Sequence, residues 1–219
     1  MLKKYSVLWG FVILCVGLLV FCLSPLQAQD SDFVTWNKMK ARHDVSSKVE
    51  FYGDVEMRTR DALDEIDRWG FGVGTSVLLL PFLKAEGGYE YHYRNRGEDG
   101  WKSRHRYHAG VSFTLKKRQW TFTLRERFQH TFDGRGADEF RLRTRLKAAY
   151  KVTTWSPYVS LEQYHGLGKD EWLHASRFRA RGGVEAKLSS SWSADVFYCY
   201  QHESNLDRHI LGWELIYRF

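Results

Sequence analysis

From Lys48 to its end the chain changes character at every second residue. The segment Phe140 to Tyr150 is the plainest case: Phe140, Leu142, Leu146, Ala148 and Tyr150 alternate with Arg141, Arg143, Arg145 and Lys147. Successive side chains of a strand point to opposite faces of its sheet, so this strand has one apolar and one charged face. Nine further segments repeat the pattern: 48–59, 69–80, 83–94, 104–115, 120–131, 155–164, 174–188, 192–201 and 209–219. Helical periodicity is absent after residue 28. Ten two-faced strands with no helix to cover them predict an all-β, antiparallel, up-and-down barrel of about ten strands, or twelve if one segment is misread.

The connections alternate in length. Short ones fall at Leu80–Phe82, Lys116–Gln119, Lys151–Thr154 and Ser189–Ser191. Longer ones, containing Gly and acids, fall at Arg60–Asp67, Asn95–Gly100, Asp133–Asp138, Gly166–Glu171 and Glu203–Asp207. Short turns at one end and long loops at the other are the signature of a transmembrane barrel. Segment lengths agree, since a tilted spanning strand needs about 9–11 residues. A soluble lipocalin-like barrel would share the alternation with its faces reversed. The transmembrane form is favoured by uniform strand length and by aromatics gathered at segment ends: Trp69, Tyr91, Tyr93, Trp120, Tyr150, Trp155, Trp192, Tyr200 and Tyr217. Interfacial girdles have this distribution.

Residues 1–28 have the make-up of an export signal: Lys3 and Lys4, an apolar run from Val7 to Leu23, and Leu26-Gln27-Ala28 as a cleavage site. An uncleaved anchor is the alternative. Cys22 follows Phe21 rather than the small residue that lipoprotein processing requires. Cys15 and Cys22 leave with the signal, so the mature chain keeps Cys199 alone and forms no internal disulfide. Of 33 basic residues, loss of Lys3 and Lys4 leaves 31 against 26 acidic ones. A basic chain invites a nucleic-acid reading, which the export signal and the one-sided placement of the charges oppose. No metal spacing and no cofactor motif is present. Residues 29–46 are expected to form a peripheral or lumenal periplasmic segment and 47–219 the barrel, because an added strand from Asp32 to His43 would break the even count and separate the termini.

An Arg or Lys on the lipid face costs roughly 2–4 kcal/mol at mid-bilayer, so the charged faces are expected to point inward. The inward basic set is then Arg104, Arg106, Arg125, Arg127, Arg141, Arg143, Arg145, Arg177, Arg179 and Arg181, facing the acids Glu50, Glu56, Glu86, Glu90, Glu162, Glu185 and Glu214. Turn positions set Arg127 beside Arg143 and Arg125 beside Arg145. Like charges directly opposite are destabilising, so acids, water with counter-ions or an anionic ligand must lie between them. Three readings stay open: a basic, Arg-lined lumen with a structural (salt-bridged plug) or ligand-binding role, a narrow anion-selective channel for small acidic solutes, and an outer-membrane lipid- or peptide-modifying enzyme using His92, Glu90 and His108. Gly70, Gly72 and Gly74 share the inward face of their strand, leaving room for long Arg side chains or a pore. Glu126 falls on the lipid face in strict register, and a bulge turning it inward is expected.

The chain closes on Leu215, Tyr217 and Phe219 at alternate positions. This ending resembles the export signal of Gram-negative outer-membrane barrels. The resemblance implies engagement of the barrel-assembly machinery through the C-terminal strand and outer-membrane lipid around the barrel, while the alternating connections and an even strand count place both termini in the periplasm. Trp36, the hairpin at Pro81, Arg104-His105-Arg106-Tyr107 and Leu124-Arg125-Glu126-Arg127-Phe128 resemble an outer-membrane barrel family labelled a domain of unknown function. That resemblance covers most of the mature chain and implies a fold and a location, with no activity attached.

Overall fold

The computed structural model describes residues 31–133, 138–168, 172–203 and 206–219. The export signal and its cleavage site lie outside these residues, as do parts of three of the long loops. Eleven strands follow in order: β1 (Ser31–Asp44), β2 (Val49–Arg60), β3 (Glu65–Leu80), β4 (Leu83–Asn95), β5 (Trp101–Lys117), β6 (Trp120–Phe132), β7 (Glu139–Tyr150), β8 (Trp155–Leu167), β9 (Trp172–Lys187), β10 (Trp192–Glu203) and β11 (Leu206–Arg218). Each pairs antiparallel with the next, and β1 closes the barrel on β11.

That closure corrects the expectation for residues 29–46. In an up-and-down meander neighbouring strands reverse, so with an odd count the first and last run the same way and close by parallel pairing. The β1–β11 register runs from Ser31 beside Asp207 to Arg42 beside Arg218. The segment set aside to preserve an even count is therefore wall, and the barrel has eleven strands rather than ten. Ser31 and Phe219 consequently lie at opposite rims, where the even count had put both ends on one side. The outward residues of β1 include Thr35 and Asn37, which break the apolar face that marks the other strands.

Solvent exposure settles which face points where. Val73 (59 %), Leu146 (55 %) and Leu161 (53 %) are exposed on the outside, whereas Glu162 (5 %) and Arg179 (6 %) are buried within. This is the inverse of a soluble barrel and leaves a lipid-facing exterior, so the fold is a transmembrane β-barrel. Aromatic pairs mark the short-turn rim, with ring centroids 5.0 Å apart for Trp120–Tyr150 and 4.7 Å for Trp192–Tyr217. Tyr93 stacks on Trp101 (5.0 Å) toward the other rim. The Phe219 backbone N–H donates to the Arg42 carbonyl (3.0 Å), tying the last residue to the end of β1.

Among the described residues a small apolar cluster lies inside: Val34, Trp36, Tyr158, Phe197, Cys199 and Ile210, contributed by β1, β8, β10 and β11. Cys199 is a buried filler of that cluster. The expected bulge at Glu126 is absent. β6 pairs with both neighbours without a register shift, so Glu126 stays outward and its carboxylate accepts from the Thr144 hydroxyl (2.9 Å).

Candidate anion site in the barrel lumen

Strand register builds the site. Across neighbouring strands Arg125 stands beside Arg145 and Arg127 beside Arg143, as the turns imply. The row through Arg145 continues to Glu162 on β8 and Arg179 on β9. Three guanidinium groups thus share one row with a single carboxylate, and Arg143 reaches that carboxylate from the neighbouring row. Glu162 accepts from Arg125 Nη2 (3.0 Å) and Arg143 Nη2 (2.9 Å) on Oε1. Its Oε2 accepts from the Tyr164 hydroxyl (3.0 Å) and Arg179 Nη1 (3.4 Å). Arg179 also donates to the Tyr164 hydroxyl. Such charge-assisted bonds are the strong ones, and here one acid holds three Arg.

The other expected acids are distributed around this row. Glu86 on β4 reaches Arg127 on β6 (2.6 Å), and Glu56 takes Arg58 (2.8 Å) and Arg68 (2.9 Å). Glu90 takes Arg106 (3.1 Å), and Glu185 pairs with Lys147. Glu214 lines the lumen, while Glu50 sits at the short-turn rim with Arg218 (3.0 Å) and Lys84 (3.3 Å). Arg177 pairs with Glu203 and Arg141 with Glu139. Arg104 lines a separate 200 Å³ recess together with Arg94 and Arg106.

The acids do not suffice. The central cavity of 320 Å³ is lined by fifteen Lys and Arg side chains against six Asp and Glu, and the cations stay in surplus when Glu86, Glu139, Glu162 and Glu203, which pair with lining Arg, are added. Among the described residues Lys40, Arg145 and Arg181 form no ion pair within 4.0 Å. Lys40 instead lies 4.1 Å from the Tyr52 ring centre and Arg181 3.9 Å from that of Phe197. The buried Nε–H groups of Arg125, Arg143 and Arg145 have no hydrogen-bond acceptor. A buried donor without a partner is costly, and buried cations require anions. This geometry suits an anion with several acceptor oxygens.

A vestibule of 610 Å³ opens toward the long loops, and its wall shares Trp36, Arg58, Arg68, Arg177 and Arg179 with the central cavity. The Arg58 guanidinium carbon lies 3.7 Å from the Trp36 ring centre and that of Arg179 4.7 Å, both within cation–π range. Trp36 therefore stands, with these two Arg side chains, in the wall that the two spaces share. Neither Trp36 nor the β1 cations Lys38, Lys40 and Arg42 belonged to the expected lumen set. Their signal was the even-numbered run Trp36, Lys38, Lys40, Arg42, whose inward periodicity was obscured by the mixed opposite face.

His92, Glu90 and His108 do come together. His92 Nε2 contacts Glu90 Oε2 at 2.9 Å and His108 Nδ1 lies 3.6 Å from Glu90 Oε1, while Tyr52 hydrogen-bonds His108 Nε2 (3.1 Å). Glu90 is engaged by Arg106 as well, and among the described residues no Ser, Thr or Cys hydroxyl or thiol is bonded to either His. The space beside the β3 glycines is taken by β2 side chains rather than Arg: a Cβ on Gly74 would lie 2.4 Å from the Tyr52 ring, and one on Gly72 would lie 2.9 Å from Asp54.

The fold has solved counterparts. The NanC porin superposes with a TM-score of 0.52 at 11% identity, over 80% of this chain and 93% of that one. The translocator domain of the autotransporter NalP from Neisseria meningitidis gives 0.49 at 10% identity, over 74% and 71%. No curated protein matches the sequence. At 11% identity the likeness to the NanC porin concerns the barrel fold alone. A family model matches residues 33–210, and the chain belongs to that family, the proteins of unknown function DUF2490.

Proposed function

We propose that the barrel is a narrow anion-binding, anion-selective pore of a Gram-negative outer membrane, taking small acidic solutes along its Arg-lined interior. The observation that carries this reading is the surplus of lumen cations over lumen acids, centred on Arg145 and Arg181 beside the Glu162 row. A closed salt-bridged plug would bring its own acids to near balance, since buried charges are expected to be paired. Rings of Arg and Lys select anions by field, and a planar guanidinium matches carboxylate or phosphate oxygens in pairs. The reading also takes residues 1–28 as a cleaved export signal, the short turns as periplasmic, and the Leu215–Tyr217–Phe219 ending as the handle for barrel assembly.

The lumen is tight, and the reading accommodates that. Eight strands are just filled by side chains and eleven are modestly wider, so passage is restricted to small solutes that replace missing acceptors of the Arg row. Replacing both Arg145 and Arg181 by Glu tests the reading. In liposome flux assays the double variant should lose preference for small dicarboxylates over neutral sugars of equal size. Unchanged preference in a correctly folded double variant would remove the Arg row from the permeation path.

A further inference from the structure

The outer face of β6–β8 carries a feature the lumen reading does not use. The row Val111, Glu126, Thr144, Gln163, Phe178 crosses five neighbouring strands on the outward side. Its three central members are polar, and they sit among exposed Leu124 (39 %), Phe128 (42 %), Leu146 (55 %) and Leu161 (53 %). Glu126 is the middle residue of β6, so its carboxylate faces the hydrocarbon rather than either rim. Thr144 supplies one donor, and lipid tails supply none. Charged groups on a lipid face are unfavourable in a depth-dependent way, acids less than bases. The remaining acceptor capacity of Glu126 calls for a donor from outside the barrel.

The chain itself bears that donor. Gln163 is exposed two strands away on the same outward row, and its carboxamide carries an N–H₂ donor. Two copies inserted in the same direction are related by a two-fold axis along the membrane normal. An axis facing Thr144 sets Glu126 of each copy against Gln163 of the other, the self-complementary arrangement of an isologous interface. Strand spacing of about 4.8 Å separates the two residues laterally by roughly 10 Å, and strand tilt offsets them in height by roughly 6 Å, a gap two long side chains can span. We propose that the outward face of β6–β8 is a homodimer interface, with the Glu126–Thr144–Gln163 row as its polar centre and the flanking Leu and Phe as its apolar surround.

The experiment is oxidative cross-linking of the mature chain refolded in lipid vesicles. Thr144→Cys, at the axis, should give a covalent dimer in at least half of the chains, while Val73→Cys on the exposed far wall stays monomeric. Adding Glu126→Leu or Gln163→Leu to Thr144→Cys should cut the dimer at least fivefold. Glu126→Leu removes a charge from the lipid face, so heat-modifiable gel mobility should show the barrel still folded, and that separates lost association from lost structure. Equal cross-linking of Thr144→Cys and Val73→Cys, or no dimer from either, would overturn the proposal. So would a Thr144→Cys dimer indifferent to Glu126→Leu and Gln163→Leu.

Discussion

Glu162 holds Arg125, Arg143 and Arg179 within 3.4 Å and is itself almost fully buried. Removing one member of a buried pair leaves the other charge uncompensated, which costs about 3–5 kcal/mol. Glu162→Gln leaves three cations in that state. It should lower folding stability by at least that order in urea titrations of the barrel in vesicles, while Glu139→Gln near the loop rim changes it little. A second residue-scale outcome concerns close approach. A Cβ on Gly212 would meet the Phe197 ring at 2.1 Å, whereas one on Gly182 meets nothing within 4 Å. Gly212→Ala should therefore cost about 1–3 kcal/mol by overpacking, and Gly182→Ala should be near neutral in the same titration.

Among the elements, β1 decides both the closure and the bore. Its parallel contact with β11 places Met39 beside Leu215. A Met39→Cys, Leu215→Cys pair should form an intramolecular disulfide on mild oxidation, and a Met39→Cys, Leu211→Cys pair should not. Cross-linking with the preferences reversed would contradict the closure. Trp36, held by Arg58 and Arg179, stands in the wall that vestibule and central cavity share. Trp36→Ala should raise single-channel conductance severalfold with selectivity kept. β1 is also where the sequence misled. Ten strands were legible because each has an apolar face broken at few points, as in Phe140–Tyr150, and because the turns fix register closely enough to align Arg125 with Arg145. β1 carries half-buried Thr35 and Asn37 on its outward side, and the parity rule then argued against it. A parallel pair between first and last strands leaves no local mark, since neither strand reads differently for it.

At the scale of the whole molecule the partition of charge is the governing fact. An apolar exterior and a cationic interior follow from one alternating pattern once lipid is taken as the outer solvent, so the facing of β7 could be read in the sequence, whereas the inward run Trp36, Lys38, Lys40 and Arg42 of β1 was missed. How the lumen residues pair was not legible. Glu86 reaches Arg127 across an intervening strand, and Glu162 gathers Arg from β6, β7 and β9. Such contacts depend on side-chain length and barrel curvature rather than on sequence spacing. The same inventory leaves Lys40, Arg145 and Arg181 without carboxylates, and the account makes that surplus the basis of anion passage. Its most direct test is the reversal potential of the refolded mature barrel in a planar bilayer under a tenfold salt gradient. Steady openings are expected, with a reversal potential of the sign of anion selectivity that moves toward zero or beyond when Arg145 and Arg181 are both replaced by Glu. A correctly folded barrel that is silent, or one that prefers cations, would contradict it.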